Sequence, residues 1–102
     1  MSWHRACHIE DVVSAGGKEV VVNGRVLAIF QSEGQLFATD GMCAHQGGPL
    51  AAGTLDGDCI TCPWHGWQYD VSSGCNLLTK KKMIDTFAVE QREDEVWVEL
   101  LE

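Results

Sequence analysis

Two short segments combine a cysteine with a histidine, and both lie near the middle of the 102-residue chain. The first contains Cys43 and His45, and the second contains Cys62 and His65, with sixteen residues between the two segments. Thiolates and imidazoles bind zinc and iron, and thiolates also hold iron–sulfur clusters. A matched pair on each of two segments therefore indicates a metal centre rather than ordinary buried thiols and surface imidazoles.

The spacing of the four residues argues against a structural zinc site. Zinc fingers usually group cysteine with cysteine and histidine with histidine. Here each segment supplies one ligand of each type, and no helix is predicted after Cys62. A two-iron cluster in which one iron takes two thiolates and the other takes two imidazoles fits this arrangement better. A non-redox zinc-stabilised interaction module remains an alternative.

The residues around the two segments closely resemble the Rieske iron–sulfur proteins. The motifs are CAHQGGPL from residue 43 and CPWHGW from residue 62, followed by Tyr69, Asp70 and a turn at Ser73 and Gly74. The similarity to that family extends over nearly the whole chain. It implies a Rieske fold and a redox role for the metal centre.

The resemblance also implies the cofactor, one [2Fe-2S] cluster, and its ligands. Cys43 and Cys62 would bind the inner iron, while His45 and His65 would bind the outer iron near solvent. Two ferric irons, two sulfides and two thiolates sum to zero charge, so the reduced centre would carry one negative charge.

Two departures from the high-potential members of that family bear on the reduction potential. Those proteins brace the two loops with a disulfide, whereas Gly48 and Trp64 stand at the corresponding positions here. The hydroxyl-bearing residue expected after the second histidine is absent, because Gly66 and Trp67 follow His65. Fewer hydrogen bonds to sulfur favour the oxidised state. We therefore expect a potential in the lower part of the range of roughly −150 to +300 mV known for Rieske centres.

Three of the five cysteines lie outside this predicted ligand set, namely Cys7, Cys59 and Cys75. Cys59 and Cys62 form a C-x2-C pattern, but residues three apart in a strand point to opposite faces. We expect all three to be small packing residues with free thiols. A bridge between Cys59 and Cys75 stays open as an alternative.

The elements that must position the ligands are predicted to be strands and turns. Asn23 and Gly24 separate two β-rich runs and predict a hairpin. Further turns are predicted at residues 32–34 and 92–95, and one short helical turn at residues 10–15. The predicted strands cover residues 19–22, 25–30, 35–39, 86–90 and 96–100.

The fold expected from the resemblance is all-β, with antiparallel sheets that form an incomplete barrel or sandwich. We expect a single Rieske domain over residues 1–102. Its base strands would lie in residues 1–39 and 76–102, and a glycine-rich, loop-built cluster-binding insertion would span residues 40–75.

Charge and composition exclude several classes of function. Fifteen acidic residues against seven basic ones give a net charge of −8, which argues against a nucleic-acid partner. There is no apolar run of the roughly 18 residues that a membrane span needs, and because the opening residues 1–8 are polar we expect no signal peptide. We expect a cytoplasmic monomer. Residues 40–75 hold four aspartates and no lysine or arginine, which predicts an acidic docking face with a basic spot at Lys80–Lys82 beside it.

The resemblance implies a soluble one-electron carrier, a Rieske-type ferredoxin that is not itself an enzyme. It would pass electrons from a flavin-containing reductase to a terminal oxygenase, such as an aromatic-ring dioxygenase, by transient docking near His45 and His65. Trp64 would either shield the cluster or contact a partner. The alternative role is that of a fixed small Rieske subunit in a larger reductase complex, such as nitrite reductase.

Overall fold

The computed structural model describes residues 2–12, 16–44, 47–64 and 66–100, and these residues are mainly strands and turns. Two short 3-10 turns cover Ile9–Asp11 and Leu50–Ala52. None of the helical turns in the described part of the chain has the length and apolar character that a membrane crossing requires. The strands are, in chain order, β1 (Ser2–His8), β2 (Gly16–Val22), β3 (Arg25–Ser32), β4 (Gln35–Asp40), β5 (Thr54–Asp56), β6 (Cys59–Thr61), β7 (Gln68–Asp70), β8 (Thr86–Phe87), β9 (Val89–Arg92) and β10 (Glu95–Leu100).

The described strands form three antiparallel sheets. The first has the order β1-β10-β9, the second has the order β2-β3-β4-β8, and the third has the order β5-β6-β7. The sheets do not close into a barrel, and the prediction of an all-β fold built from antiparallel sheets is confirmed.

The hairpin predicted at Asn23 and Gly24 is confirmed. Val22 pairs with Arg25 across these two residues, whose φ angles are 52° and 80°. Both residues therefore have the left-handed backbone that a two-residue turn between twisted strands requires. The turn between β3 and β4 has the same character, with positive φ at Glu33 and Gly34.

Strand β3 separates two hydrophobic cores. Leu27 and Ile29 contribute to the core that the second sheet shares with the first sheet. Ala28 and Phe30 point to the opposite face and belong to a second core, which also contains residues of the third sheet and its loops. All four side chains are fully buried, so this strand lacks the alternation of a strand with one solvent face.

Two predictions of local structure are wrong in detail. The strand predicted at residues 86–90 is two strands, because β8 pairs with β4 whereas β9 pairs with β10. The chain changes sheets at Ala88, whose carbonyl accepts a hydrogen bond from the N–H of Glu99. The helical turn predicted at residues 10–15 is a 3-10 turn at Ile9–Asp11, and residues 13–15 lie outside the described residues.

Along the sequence, the strands of the third sheet come between two groups of strands that form the other two sheets. Its strands fall within residues 54–70, whereas the first and second sheets use residues 2–40 and 86–100. The division of the chain into a base and an insertion at residues 40–75 stays a prediction.

Candidate metal centre

The first cysteine–histidine segment follows β4 in a tight hairpin, and we call residues 43–48 the first hairpin loop. Met42 and Pro49 form an antiparallel bridge at its base. The N–H of Cys43 donates to the carbonyl of Gly48 at 2.8 Å, and the N–H of Gly47 donates to the carbonyl of Cys43 at 2.8 Å. Gly47 has a φ of 73°, which favours glycine because it lacks a Cβ.

The second segment connects β6 to β7, and we call residues 62–67 the second hairpin loop. The N–H of Cys62 donates to the carbonyl of Trp67 at 2.7 Å, and Gly66 has a φ of 76°. In both loops the cysteine N–H thus bonds to the carbonyl five residues later, and a left-handed glycine lies four residues after the cysteine. The two loops therefore share the closing hydrogen bond and the position of the left-handed glycine.

The two hairpin loops bring their cysteines into the same core. Cys43 is 3% exposed and Cys62 is 1% exposed, and both pack in the second core. The loops touch at Gly48, where a Cβ atom, if the residue had one, would lie 2.7 Å from Sγ of Cys62 and 3.0 Å from Cγ of Trp64. Glycine at this position therefore allows the first loop to approach the second thiol.

Two hydrogen bonds reach the cysteine sulfurs. The Tyr69 hydroxyl lies 3.1 Å from Sγ of Cys43, and the Trp64 N–H donates to Sγ of Cys62 at 3.4 Å. Tyr69 is fully buried on β7. No role for this residue was expected from the sequence. The alternation of Gln68, Tyr69 and Asp70 in the sequence could have indicated a buried tyrosine, but not that its hydroxyl meets Cys43.

Burial is the largest influence on the pKa of the Cys62 thiol and on the pKa of the Tyr69 hydroxyl. Burial raises the pKa of the Cys62 thiol, the Trp64 N–H lowers it, and the neighbouring Cys43 raises it again. Burial and then the hydrogen bond to Cys43 raise the pKa of Tyr69 far above its usual value. The tyrosine hydroxyl therefore stays protonated and can donate a hydrogen bond to a sulfur that carries negative charge.

The described part of the site fits a thiolate-bound iron. Two sulfurs from two loops meet in a water-excluded core, and each has a hydrogen-bond donor beside it. Iron–sulfur centres are tuned by such donors and by their distance from solvent. His45 and His65 lie outside the described residues, and among the described ones no group of three or more His, Cys, Asp or Glu side chains could hold a metal ion.

The other three cysteines are not bridged, and neither are the two in the site. Cys7 is buried in the core beneath the first sheet, as expected, whereas Cys59 and Cys75 are only half-buried. Strand β7 lies between these last two residues, because Asp70 pairs with Cys59 and also bonds to the carbonyl of Cys75. Strands on either side of a third are about 9.5 Å apart. This is too far for a disulfide.

The expected acidic docking face stays a prediction, and the structure shows where its four aspartates lie. Asp56 and Asp70 both pair with Cys59, at the end of the third sheet that lies away from Cys62. Asp58 is in the turn at that same end. The remaining aspartate, Asp40, accepts a hydrogen bond from Arg25 at 2.8 Å. Three of the four carboxylates thus lie at the far end of the third sheet, whereas Asp40 lies near Met42 and Ala44 at the first hairpin loop.

Comparison with known proteins connects this site to a family. A model of the Rieske [2Fe-2S] domain matches residues 2–88. The ferredoxin component of the naphthalene 1,2-dioxygenase system of Pseudomonas putida is 31% identical over 103 residues, which cover 98% of this chain and 97% of that protein. A chain in the complex of reduced oxygenase and oxidised ferredoxin in carbazole 1,9a-dioxygenase has 34% identity and a TM-score of 0.83, covering 94% of this chain and 91% of that chain.

A longer relative contains the same module. Methylxanthine N1-demethylase NdmA of Pseudomonas putida is 29% identical over 111 residues, which cover 96% of this chain and 32% of the relative. The chain thus spans about a third of that protein and almost all of the ferredoxin component. Because the family model covers most of the chain and the two buried thiols lie on matched loops, the chain belongs to the Rieske [2Fe-2S] domain family, whose cofactor is one [2Fe-2S] cluster.

Proposed function

We propose that the protein is a Rieske ferredoxin that accepts one electron from a flavin-containing reductase and delivers it to a terminal oxygenase. The proposal rests mainly on two buried thiols, Cys43 and Cys62, which lie on matched loops. Exposed residues follow each cysteine in its loop. Similarity over nearly the full length of a dioxygenase ferredoxin component supports the carrier role. A similar chain in a complex of oxygenase and ferredoxin supports the oxygenase as a partner.

We propose four cluster ligands. Cys43 and Cys62 would hold the inner iron, and His45 and His65, which follow them in the same loops, would hold the outer iron. The bound cluster supplies reversible uptake of a single electron. The chain excludes water from the two sulfurs, and Tyr69 and the Trp64 N–H donate to them.

The chain would act as a carrier and not as an enzyme, with its substrate chemistry left to the oxygenase. We place it in the cytoplasm, which the five unbridged cysteines support because thiols stay reduced there. We also propose that residues 40–75 form the cluster-binding part on a base built from residues 1–39 and 76–102. The fixed-subunit and zinc-module alternatives have less support, since the relatives include free-standing ferredoxin components.

Electron paramagnetic resonance of the dithionite-reduced protein tests this proposal, together with iron and acid-labile sulfide analysis. We expect equal amounts of iron and sulfide and a rhombic signal with a low average g value, because two imidazoles bind one iron. Zinc in place of iron, or an axially symmetric ferredoxin-type signal, would refute the proposed ligand set.

Replacing His65 with cysteine should lower the reduction potential strongly. An added thiolate brings one more negative charge to the centre, which makes the uptake of an electron less favourable. Rieske centres have reduction potentials of roughly −150 to +300 mV, whereas plant-type ferredoxins with four cysteine ligands lie at about −400 mV. A redox titration of His65→Cys measures the shift, and an unchanged potential would contradict the role of His65 as a ligand.

Replacing Tyr69 with phenylalanine should also lower the potential, but by much less. The hydroxyl that lies 3.1 Å from Sγ of Cys43 stabilises negative charge on the sulfur, and this charge increases on reduction. A net loss of about 1 kcal/mol for one such hydrogen bond corresponds to roughly 40 mV for one electron. Square-wave voltammetry can detect this shift, and a potential equal to that of the wild type would show that the hydroxyl does not donate to the sulfur.

A further inference from the structure

The described surface of the two hairpin loops themselves is largely apolar. Among the described residues, neither loop contains an acidic or a basic side chain. Four large hydrophobic side chains of the described chain are strongly exposed, and three of them surround the loops: Met42 (52%), Trp64 (50%) and Leu78 (90%). This concentration of exposed apolar area beside a redox centre is typical of a protein contact.

Leu78 belongs to a segment that we call the third loop, residues 76–85, which packs beside the second hairpin loop. The N–H of Leu77 donates to the carbonyl of Gln68 at 3.0 Å. A groove of about 340 Å³ separates the two loops, and its lining is mainly apolar. The lining residues are Gly66, Trp67, Gln68, Asn76, Leu78 and Thr79.

The third loop has a fixed shape although it lacks proline. Asn76 is 5% exposed, and its side-chain oxygen accepts hydrogen bonds from the N–H groups of Leu78 (2.9 Å) and Thr79 (3.0 Å). The backbone N–H of Asn76 also donates to the carbonyl of Lys81 at 2.9 Å. These bonds hold the exposed leucine and the following lysines in one arrangement before any partner arrives, which lowers the entropy lost on docking.

Lys80 and Lys81 of the third loop lie beside this apolar surface, because both form backbone hydrogen bonds with Asn76, which lines the groove. Lys82 bridges to Cys75 and lies farther away, level with Asp70. Lys80, Lys81 and Lys82 are exposed, and none of the ion pairs formed by described residues includes them.

Asp56, Asp58 and Asp70 lie at the far end of the third sheet. Asp40 and Asp85, the last residue of the third loop, share the guanidinium of Arg25. The local charge beside the groove is therefore positive in a chain whose net charge is −8.

We propose that Leu78, Lys80 and Lys81 form a docking element for a redox partner protein whose contact face is acidic and contains an apolar patch. This inference rests on the proposed electron-carrier function. A basic partner would be attracted over much of this acidic chain, without preference for the cluster. An acidic face is repelled by most of the surface and attracted beside the hairpin loops, and this orients the encounter.

The test uses the full-length, cluster-loaded protein and a synthetic surface of known chemistry. Cyclic voltammetry is recorded on gold covered with a mixed monolayer of carboxylate- and methyl-terminated alkanethiols. The Lys80→Gln/Lys81→Gln variant has a net charge of −10, and its electron-transfer rate at low salt should be about tenfold below that of the wild type. The matched control, Lys18→Gln/Gln35→Glu, has the same net charge, with both changes on exposed positions of the second sheet. Its rate should stay within about twofold of the wild type.

The apolar part of the proposal has its own readout. The wild type should transfer electrons faster on the mixed monolayer than on a purely carboxylate one, and Leu78→Gln should lose that difference. Equal slowing of the two charge variants, or faster transfer on an amine-terminated monolayer, would overturn the docking element. A mediated redox titration distinguishes a failure of the docking element from a failure of the carrier function. If the titration shows no one-electron couple, the carrier function itself is refuted. If it shows a normal couple, only the docking element fails.

Discussion

Replacing Cys62 with serine is expected to abolish the cluster, while replacing Cys59 with serine is expected to leave it intact. The two cysteines are three residues apart, but they face opposite sides of the chain. Cys62 is 1% exposed and contacts the first hairpin loop, whereas Cys59 is half-buried on the other face of β6. Iron–sulfur clusters are held by thiolates, and a serine hydroxyl is a poor substitute.

The measurement for this pair is iron and acid-labile sulfide per chain, with the visible absorbance of the cluster. We expect at least about a tenfold lower content in Cys62→Ser and a wild-type content in Cys59→Ser, in line with the tenfold to hundredfold effects seen even for residues beyond the ligands. Circular dichroism of both variants provides the folding control. If Cys59→Ser lost as much iron as Cys62→Ser, the assignment of the ligand cysteine would be wrong.

Adding a single methyl group at Gly48 is expected to weaken cluster binding more than it weakens the fold. The new Cβ would lie 2.7 Å from Sγ of Cys62 and 3.1 Å from Cβ of Trp64, both of which belong to the second hairpin loop. These distances are well below an ordinary contact of about 3.5–4.0 Å. The two loops must therefore move apart, and this separates the two sulfurs that we propose as ligands of one iron.

Overpacking of this kind costs typically about 1–3 kcal/mol. We therefore expect Gly48→Ala to lose its cluster about tenfold faster on heating, with changed g values in the reduced protein. The control is Gly34→Ala, which strains a left-handed turn (φ 77°) whose new Cβ would meet no atom within 4 Å. That variant should lose stability without any change in the resonance signal. Identical rates of cluster loss in Gly48→Ala and the wild type would show that the loops do not depend on this contact.

Local sequence signals predicted most of the strands, because these signals act over a few residues. Asn23 and Gly24 set the hairpin between β2 and β3, and the alternation of β10 matches its burial. The break at Ala88 was not predictable in this way. It depends on a hydrogen bond from Glu99, eleven residues later, and on the chain leaving one sheet for another.

The candidate site shows the same division between local and distant effects. The motif spacing was sufficient to propose Cys43 and Cys62, and the structure places both in one buried core. The contribution of Tyr69 and the location of the aspartates depend on which strand ends lie together, which no local pattern contains. The acidic run at residues 40–75 predicts an acidic surface around the site, whereas the structure places three of its aspartates at the far end of the third sheet.

The two hairpin loops share a closing bond and a left-handed glycine, but their histidines stand at different positions in the sequence. Both are closed by a bond from the cysteine N–H to the carbonyl five residues later, with a left-handed glycine before it. Histidine occupies the third position of the first loop, at His45, and the fourth position of the second, at His65. The closing bond and the glycine are thus separable from the choice of ligand position. The histidine can therefore stand at the third or the fourth position of the loop while the closing bond and the glycine are kept. Mutation or design can change the ligand position separately from the turn.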